Sequence, residues 1–236
     1  MVSTQAIVLS AIKYAEADLI VTCYTKSDGI KTYHIRGVLK SKRGKFKASS
    51  FLPCTQLDIV ARHRNKGTME YLNETKISVP YYTLHTDVIK SSLVMFLSEI
   101  LKNVIREEEA NTELFEFLQH AFVDLDTRNN VANFHIYFLL ALSRYLGFYP
   151  DSDSKGLYFN MLEGVFQDSR TNPYCVQNQA SNTLSIVLHD LEALHDMQMS
   201  KILRKDLLSL LLTYYQLHID GFRQPRSLEI LEQLFK

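Results

Sequence analysis

The first 80 residues alternate between apolar and polar positions in short stretches, a pattern that is typical of β-strands. Turn-forming residues such as Ser27-Asp28-Gly29 separate the stretches, and Gly29 can adopt the positive φ that a tight hairpin requires. The pattern predicts five strands, at residues 5–14, 18–25, 30–38, 56–64 and 69–77. Five short strands separated by turns indicate a small closed or partly closed barrel.

Beyond Pro80 the apolar positions recur every three or four residues, which is typical of amphipathic helices. Helices are predicted over 87–107, 112–124 (with Thr112 as its N-cap), 130–146, 182–195, 200–220 and 227–235. Between them, glycine, proline and small polar residues predict an irregular insertion with a β-hairpin at 157–167. The sequence therefore predicts an α+β, multidomain chain: a β-domain over 1–80, then an all-α helical bundle over 81–236 with an insertion at about 150–180.

Composition narrows the class of protein. Apolar residues make up 46% and charged residues 22% of the chain, as in ordinary globular proteins. The N-terminus lacks the pattern of a secretion signal, and no apolar stretch approaches the ~18 residues that cross a bilayer. We therefore expect a cytoplasmic protein with no membrane partner. The three cysteines form no CxxC pair, which favours buried thiols, although a single cysteine nucleophile stays open.

A net charge of zero conceals an asymmetry between the two predicted domains. Residues 1–80 carry 13 Lys and Arg against 6 Asp and Glu, whereas residues 81–236 carry 13 against 20. Opposite charges suggest two modules with different partners. The basic module is the one to test for binding to a polyanion.

The cations of the basic domain concentrate in residues 40–47, where five of eight residues are Lys or Arg. Phosphate backbones are bound by several cations along a path, because binding releases condensed counterions. Phe46, Tyr33 and His34 could offer flat faces for base stacking. A solvated surface loop is the alternative, but a basic loop on a small barrel favours nucleic acid. The candidate DNA-binding residues are Arg36, Lys40, Lys42, Arg43, Lys45, Phe46, Lys47, Arg62, Arg64 and Lys66.

The sequence contains no recognisable catalytic or metal-binding signature. It has no HExxH, GxSxG, Walker phosphate loop or dinucleotide glycine pattern. His189 and His195 are six residues apart on a predicted helix and point about 120° away from each other, so they cannot easily share a metal. We therefore expect a non-enzymatic protein without a cofactor. Two alternatives stay open: a protein-only scaffold whose basic loop binds an acidic protein, and an enzyme acting on nucleic acid.

Four short segments lie at residues 14–21 (YAEADLIV), 36–42 (RGVLKSK), 144–150 (RYLGFYP) and 218–221 (HIDG), and their order and spacing span nearly the whole chain. In these segments the chain resembles the RecO family of bacterial recombination mediators. The resemblance implies an N-terminal OB-fold, a helical C-terminal domain, binding of single- and double-stranded DNA, and strand annealing in DNA repair at the nucleoid. It also implies partnership with RecR and with the acidic C-terminal tail of single-stranded-DNA-binding protein, leading to RecA loading.

The chain departs from the family at the insertion, where many members carry a four-cysteine zinc motif. Residues 151–180 retain only Cys175, which implies a zinc-less variant whose hairpin is held by packing alone. An acidic, apolar tail requires a hydrophobic groove with a cationic rim. Arg144, Arg204 and Lys205 are the cations near apolar helix faces, and they are the candidate partner-binding residues.

Overall fold

A computed structural model describes residues 1–40, 45–64, 69–105 and 109–234, and the chain divides into two compact units. The first comprises Met1–Thr127 with Pro225–Ser227, and the second comprises Arg128–Gln224 with the residues from Leu228 onward. The change from strands to helices lies near residue 80, as expected, but the first two helices belong to the compact unit of the sheet. The division into domains at residue 80 therefore stays a prediction.

The five predicted strands form one antiparallel sheet in the order β3-β2-β1-β4-β5. They are β1 (Val2–Tyr14), β2 (Asp18–Thr25), β3 (Gly29–Ile35), β4 (Gln56–Arg62) and β5 (Tyr71–Ile77). The long central strand serves two neighbours: residues 2–7 of β1 pair with β4, and residues 6–14 pair with β2, with a register shift between Val8 and Ser10. Gly29 adopts a φ of 62°, as the predicted hairpin requires.

The two edge strands of the sheet meet at a bridge. Tyr33 of β3 pairs in parallel with Glu70, which directly precedes β5. The N–H of Glu70 donates to the carbonyl oxygen of Thr32 at 2.7 Å. Among the described residues this is one bridge and not a ladder, so the closed OB-fold barrel stays a prediction.

The inner face of the sheet forms the core of the first unit, because alternate residues of each strand point inward. Val21 and Cys23 of β2 and Tyr33 of β3 are at most 2% exposed. The connection between β3 and β4 contains a short 3-10 helix, Ala48–Phe51, whose Phe51 ring joins this core. Burial of such a side chain contributes roughly 2 kcal/mol.

Two helices follow in the same unit, α1 (Val88–Val104) and α2 (Thr112–Thr127). The Asp87 carboxylate caps α1 by accepting the N–H groups of Ile89 and Lys90, each at 2.9 Å. The side chain that caps α2 is Asn111, whose Oδ1 accepts the N–H of Leu114 at 2.9 Å. The prediction that Thr112 is this cap is therefore wrong by one residue.

A polar network joins the segment after the sheet to both helices. Burial of Asp126 opposes its ionisation, but its carboxylate accepts the N–H groups of Tyr82, Thr83 and Leu84, which lowers its pKa. Lys90, which is 7% exposed, donates from Nζ to Thr83 Oγ1 at 2.8 Å and to the carbonyl oxygen of Asp126 at 2.6 Å. The ammonium group is thus hydrogen-bonded where it is buried, as such a charge must be.

The second unit contains α3 (Phe134–Tyr145), α4 (Gln179–Val187), α5 (Lys201–His218) and α6 (Leu228–Leu234). The continuous helix predicted over 182–195 is wrong in its second half. The α-helix ends at Val187, and a 3-10 turn follows at Glu192–His195. The buried hydroxyl of Tyr215 donates to the carbonyl oxygen of Leu139 at 2.6 Å and so joins α5 to α3.

The insertion forms a small antiparallel sheet in the order β7-β6-β8. Its strands are β6 (Tyr158–Asn160), β7 (Val165–Gln167) and β8 (Cys175–Val176). The predicted hairpin is present as β6 and β7, and β8 adds a third strand. The rings of Phe159 and Phe166 lie 5.0 Å apart, and Phe159 is fully buried.

Packing alone does not hold this insertion, contrary to the prediction. Gln167 Nε2 donates to the carbonyl oxygen of Ser169 at 2.6 Å and to Thr171 Oγ1 at 2.9 Å. It also lies 3.6 Å from the Sγ of Cys175. Asn172 Nδ2 donates to Asn160 Oδ1 at 3.0 Å. Side-chain amides therefore connect the strands to the turn that follows β7.

Candidate nucleic-acid interface and helical cavity

Of the predicted DNA-binding cations that the structure describes, Arg62 ends β4 and the others lie in the segments that follow β3 and β4. Three further predicted cations, Lys42, Arg43 and Lys66, lie outside the described residues. The six described cations are all exposed: Arg36, Lys40, Lys45, Lys47, Arg62 and Arg64. Exposed, hydrated cations on loops are available to phosphates without a change in the fold.

Arg36 directly follows β3 at a turn that Asp18 holds in place. The Asp18 carboxylate accepts the N–H of Gly37 at 2.8 Å, and His34 Nε2 lies 2.7 Å from its other oxygen. The N–H of Gly37 and the imidazole of His34 hold the pKa of Asp18 below its usual value. Gly37 has a φ of 65°, which allows the chain to turn sharply here. The start of the basic loop is therefore fixed to β2.

The next described cations differ in their surroundings. Lys40 Nζ lies 2.9 Å from Glu16 Oε2, and both side chains are well exposed, so this ion pair contributes little to stability. Lys45 Nζ lies 5.9 Å from the centroid of the Phe46 ring. That ring is half-buried and packs against the core, 6.2 Å from the ring of Phe51. Phe46 thus has a structural role in addition to any contact with a base.

Two aromatic residues predicted to stack on bases, Tyr33 and His34, contact other side chains of the protein instead. Tyr33 is 1% exposed, so the prediction that it offers a stacking face is wrong. Its hydroxyl lies 2.7 Å from His63 Nε2. The His34 imidazole meets the Tyr14 ring edge-on, with centroids 5.5 Å apart. An exposed ring elsewhere on the sheet is better placed to stack on a base.

Tyr71, a residue that sequence reasoning missed, provides such a ring. It begins β5, is 48% exposed, and pairs directly across from Arg62 on β4. The Arg64 guanidinium lies 5.0 Å from the centroid of its ring. The alternation of apolar Met69, polar Glu70 and apolar Tyr71 gave no signal for this, because it would place Tyr71 on the covered face, whereas the structure buries Glu70 and exposes Met69 and Tyr71.

A cavity of about 430 Å³ lies in the second unit, among α3, α5 and α6. It brings together two of the three predicted partner-binding cations, Arg204 and Lys205, and adds Lys201, which sequence reasoning missed. The described residues that line it are His135, Lys201, Ile202, Arg204, Lys205, Leu208, Glu229, Leu231, Glu232 and Gln233. Arg144 is not among these described lining residues: its guanidinium stacks 4.3 Å from the centroid of the Tyr149 ring.

Arg204 is the most constrained of the cavity cations. Its Nε donates to Asn133 Oδ1 at 2.9 Å, and burial lowers its pKa from the usual value. Burial and the charge of Arg204 also lower the pKa of His135 to about 3, so this imidazole is neutral at pH 7. Lys205 Nζ lies 3.1 Å from Glu232 Oε2. The positive charge at this cavity therefore comes from Lys201, Arg204 and Lys205.

The described residues contain neither a candidate metal site nor a helix that could span a membrane. No group of three or more His, Cys, Asp or Glu among them could hold a metal ion. Within the same ranges, no helix has the length and apolar character needed to cross a membrane. All three cysteines are buried, and burial raises the pKa of the Cys23 thiol to about 12 and that of Cys54 well above its usual value. These two thiols are thus protonated at neutral pH.

Comparison with known proteins identifies similar proteins along almost the whole chain. The family model for the N-terminal part of recombination protein O matches residues 1–81, and the model for its C-terminal part matches residues 85–229. The chain is 52% identical, over its full length and 99% of the relative, to the DNA repair protein RecO of Christiangramia forsetii. It is 42% identical to the RecO protein of Flavobacterium psychrophilum over 99% of both chains, and 34% identical to that of Bacteroides fragilis over 98% of both.

Proposed function

Because the chain belongs to the recombination protein O family, we propose that it is a non-catalytic mediator of recombinational DNA repair in the bacterial cytoplasm. It binds single- and double-stranded DNA, promotes the annealing of complementary strands, and acts with RecR to load RecA onto DNA coated by single-stranded-DNA-binding protein. A role in DNA repair follows from the relatives. The DNA contacts and partners are the proposal.

The observation that carries the proposal is the set of exposed cations at strand ends and on the adjoining loops of the sheet. Arg36 follows β3, Arg62 ends β4, and Lys45 and Lys47 lie in the connection between β3 and β4. Each side chain is exposed, so it can approach a phosphate without losing a buried contact. The parallel bridge between Tyr33 and Glu70 supports closure of the sheet into an OB-type barrel. We propose that DNA follows these loops across the barrel.

Annealing follows from the same electrostatics. Two complementary strands repel each other through their phosphates, and a surface with several cations lowers that repulsion when both strands bind. This mechanism requires no catalytic residue and no metal. It predicts that annealing weakens with salt in parallel with DNA binding.

The cavity in the helical unit supports the second part of the proposal. An acidic and apolar peptide end needs apolar walls beside fixed cations. Ile202, Leu208 and Leu231 supply the walls, whereas Arg204 and Lys201 supply the charge. We propose that this cavity receives the acidic C-terminal tail of single-stranded-DNA-binding protein. Lys205 is partly neutralised by Glu232 and would contribute less.

Fluorescence anisotropy with labelled single-stranded DNA at two salt concentrations tests the DNA-binding proposal. We expect the triple reversal Lys42→Glu, Arg43→Glu and Lys45→Glu to weaken binding steeply. The slope of log affinity against log salt should become shallower by about 2, because each lost phosphate contact removes about 0.7. The same titration with a peptide of the acidic tail tests the cavity.

A matched control reverses three exposed cations outside the predicted loops, Lys102→Glu, Lys155→Glu and Arg170→Glu. It changes the net charge equally and should leave most of the affinity intact. Equal losses in the two triple variants would mean that net charge alone attracts the DNA. No binding by the wild-type protein at low salt would favour the alternative, a scaffold whose basic loop contacts an acidic protein.

A further inference from the structure

Tyr71 has an exposed ring that lies beside two positively charged side chains. Its ring is 48% exposed although it begins a strand of the core sheet. The guanidinium of Arg64 lies 5.0 Å from the ring centroid, and Arg62 is its direct cross-strand partner. Side chains of directly opposed residues share one face of the sheet. The ring therefore lies beside two cations, Arg62 and Arg64, that are both exposed.

Glu70, which directly precedes Tyr71 and is 4% exposed, holds the backbone near this ring in place. The Glu70 carboxylate accepts the N–H of Arg64 at 2.8 Å. The N–H of Glu70 donates to the carbonyl oxygen of Thr32 on β3 at 2.7 Å. One buried residue thus links the end of the β4 segment, the start of β5 and the neighbouring strand. Arg64 and Tyr71 are held near each other as a consequence.

His63 provides a second support between the two exposed arginines. Its side chain is 1% exposed, and its Nε2 lies 2.7 Å from the hydroxyl of Tyr33. Its Nδ1 lies 3.1 Å from the Asp28 carboxylate, an ion-pair distance rather than a well-directed hydrogen bond. Because His63 points inward, its neighbours Arg62 and Arg64 point outward.

We infer that Tyr71 and Arg64 form a stacking platform for one unpaired base, and that Arg62 contacts the phosphate beside that base. This inference rests on the proposed binding of DNA by the sheet. Aromatic rings bind single strands by stacking on bases of any identity, and a guanidinium at the ring adds a cation–π contribution. In a duplex the base faces are already stacked on one another. Tyr71 therefore selects single-stranded over double-stranded DNA, whereas the loop cations bind both.

The test compares wild type, Tyr71→Ala, Tyr71→Phe and Tyr14→Ala by fluorescence anisotropy. The DNA probes are a single strand and a duplex of equal length at one salt concentration. Tyr14 is a matched control, because it lies on the same sheet and is 49% exposed. We expect Tyr71→Ala to weaken single-strand binding roughly 5- to 100-fold and duplex binding by less than about 2-fold. Tyr71→Phe and Tyr14→Ala should bind both probes like wild type, since stacking needs no hydroxyl.

A third probe, a single strand with abasic sites along its length, isolates stacking from charge. On this probe wild type and Tyr71→Ala should bind equally, because no base is left to stack. A persistent difference there would overturn the platform, as would equal losses on single strand and duplex, or an unchanged affinity of Tyr71→Ala for all probes. Failure of the wild-type protein to bind either DNA at low salt would contradict the proposed function itself and not the stacking platform alone. Thermal melts of each variant confirm that its fold is retained.

Discussion

The cations of the sheet and those of the helical cavity differ in how the protein holds them. Arg36, Lys45 and Lys47 extend from loops into solvent, whereas Arg204 is partly buried and donates from Nε to Asn133 at 2.9 Å. A cation on an exposed loop can bind phosphates along a nucleic-acid backbone but distinguishes little between anionic ligands. A held guanidinium presents a fixed fork of donors that fits a carboxylate. The difference predicts which cations would act collectively and which individually in the proposed function.

Binding at the two regions should also differ in how strongly it depends on salt concentration and on side-chain geometry. Collective binding by exposed loop cations should weaken strongly as salt rises, because it depends on counterion release. Binding in a half-buried cavity is screened less. Charge-conserving substitutions should consequently have small effects on the sheet and large effects in the cavity.

Loss of the fixed guanidinium should have the largest effect. We expect Arg204→Ala to weaken binding of the acidic tail peptide at least about 30-fold, because a half-buried, hydrogen-bonded partner of a charge pair is removed. Arg204→Lys should restore only part of the affinity, since an ammonium lacks the planar fork. Isothermal titration calorimetry measures both. Arg144→Ala is the control, and an equal loss in that variant would contradict the assignment of the cavity.

Because of His135 at the cavity, the free energy of unfolding should fall at a pH above the range in which carboxylates usually titrate. The pKa of His135 is about 3 in the folded protein and about 6.5 in an unfolded chain. The unfolded state therefore binds an extra proton between these values, and stability falls as pH drops from about 6.5 towards 3. Between pH 6.5 and 5 the loss should reach up to about 2 kcal/mol. Urea unfolding of wild type and His135→Gln at both pH values checks this, because the variant should lose less.

Removal of the competing acid should have a smaller, opposite effect. Glu232 lies 3.1 Å from Lys205 and is 34% exposed, so this pair is worth little to the fold. We expect Glu232→Gln to raise affinity for the acidic peptide about 2- to 5-fold by releasing the ammonium group. A decrease in affinity in the same peptide titration would show that Glu232 itself contacts the peptide.

A single loop cation should matter least. We expect Lys47→Ala to weaken single-strand binding only about 2-fold and to reduce the salt slope by about 0.7, the contribution of one phosphate contact. Anisotropy over a range of salt concentrations measures the slope, with Lys102→Ala as control. A loss above about 30-fold would show that Lys47 acts individually, as we propose for Arg204, and would remove the contrast between the two regions.

Local patterns predicted the elements of the fold well and their ends less well. All five strands and the first three helices lie where the alternation of polar and apolar positions indicated. The misplaced cap at Thr112 and the helix that stops at Val187 share a cause. Helix ends depend on which side chain reaches a free N–H or carbonyl group, and periodicity does not report this.

The candidate sites were harder to predict because they depend on residues distant in sequence. Arg204 and Lys205 meet a cavity that α6 helps to line, although that helix begins more than 20 residues later. Lys201 was missed because nothing in its local sequence distinguishes it from other lysines on helix surfaces. In the insertion, Gln167 and Asn160 take part in a hydrogen-bond network that composition could not reveal.

The sequence by itself determined the order of strands and helices, the concentration of cations in the first 80 residues and the resemblance to the family that the comparisons confirm. These properties are local or compositional, so they can be recognised before the chain folds. Only the tertiary structure decided that Tyr33 points into the core while Tyr71 lies exposed beside Arg64. Strand alternation assigns residues to two faces, but which face is covered depends on pairing between distant strands.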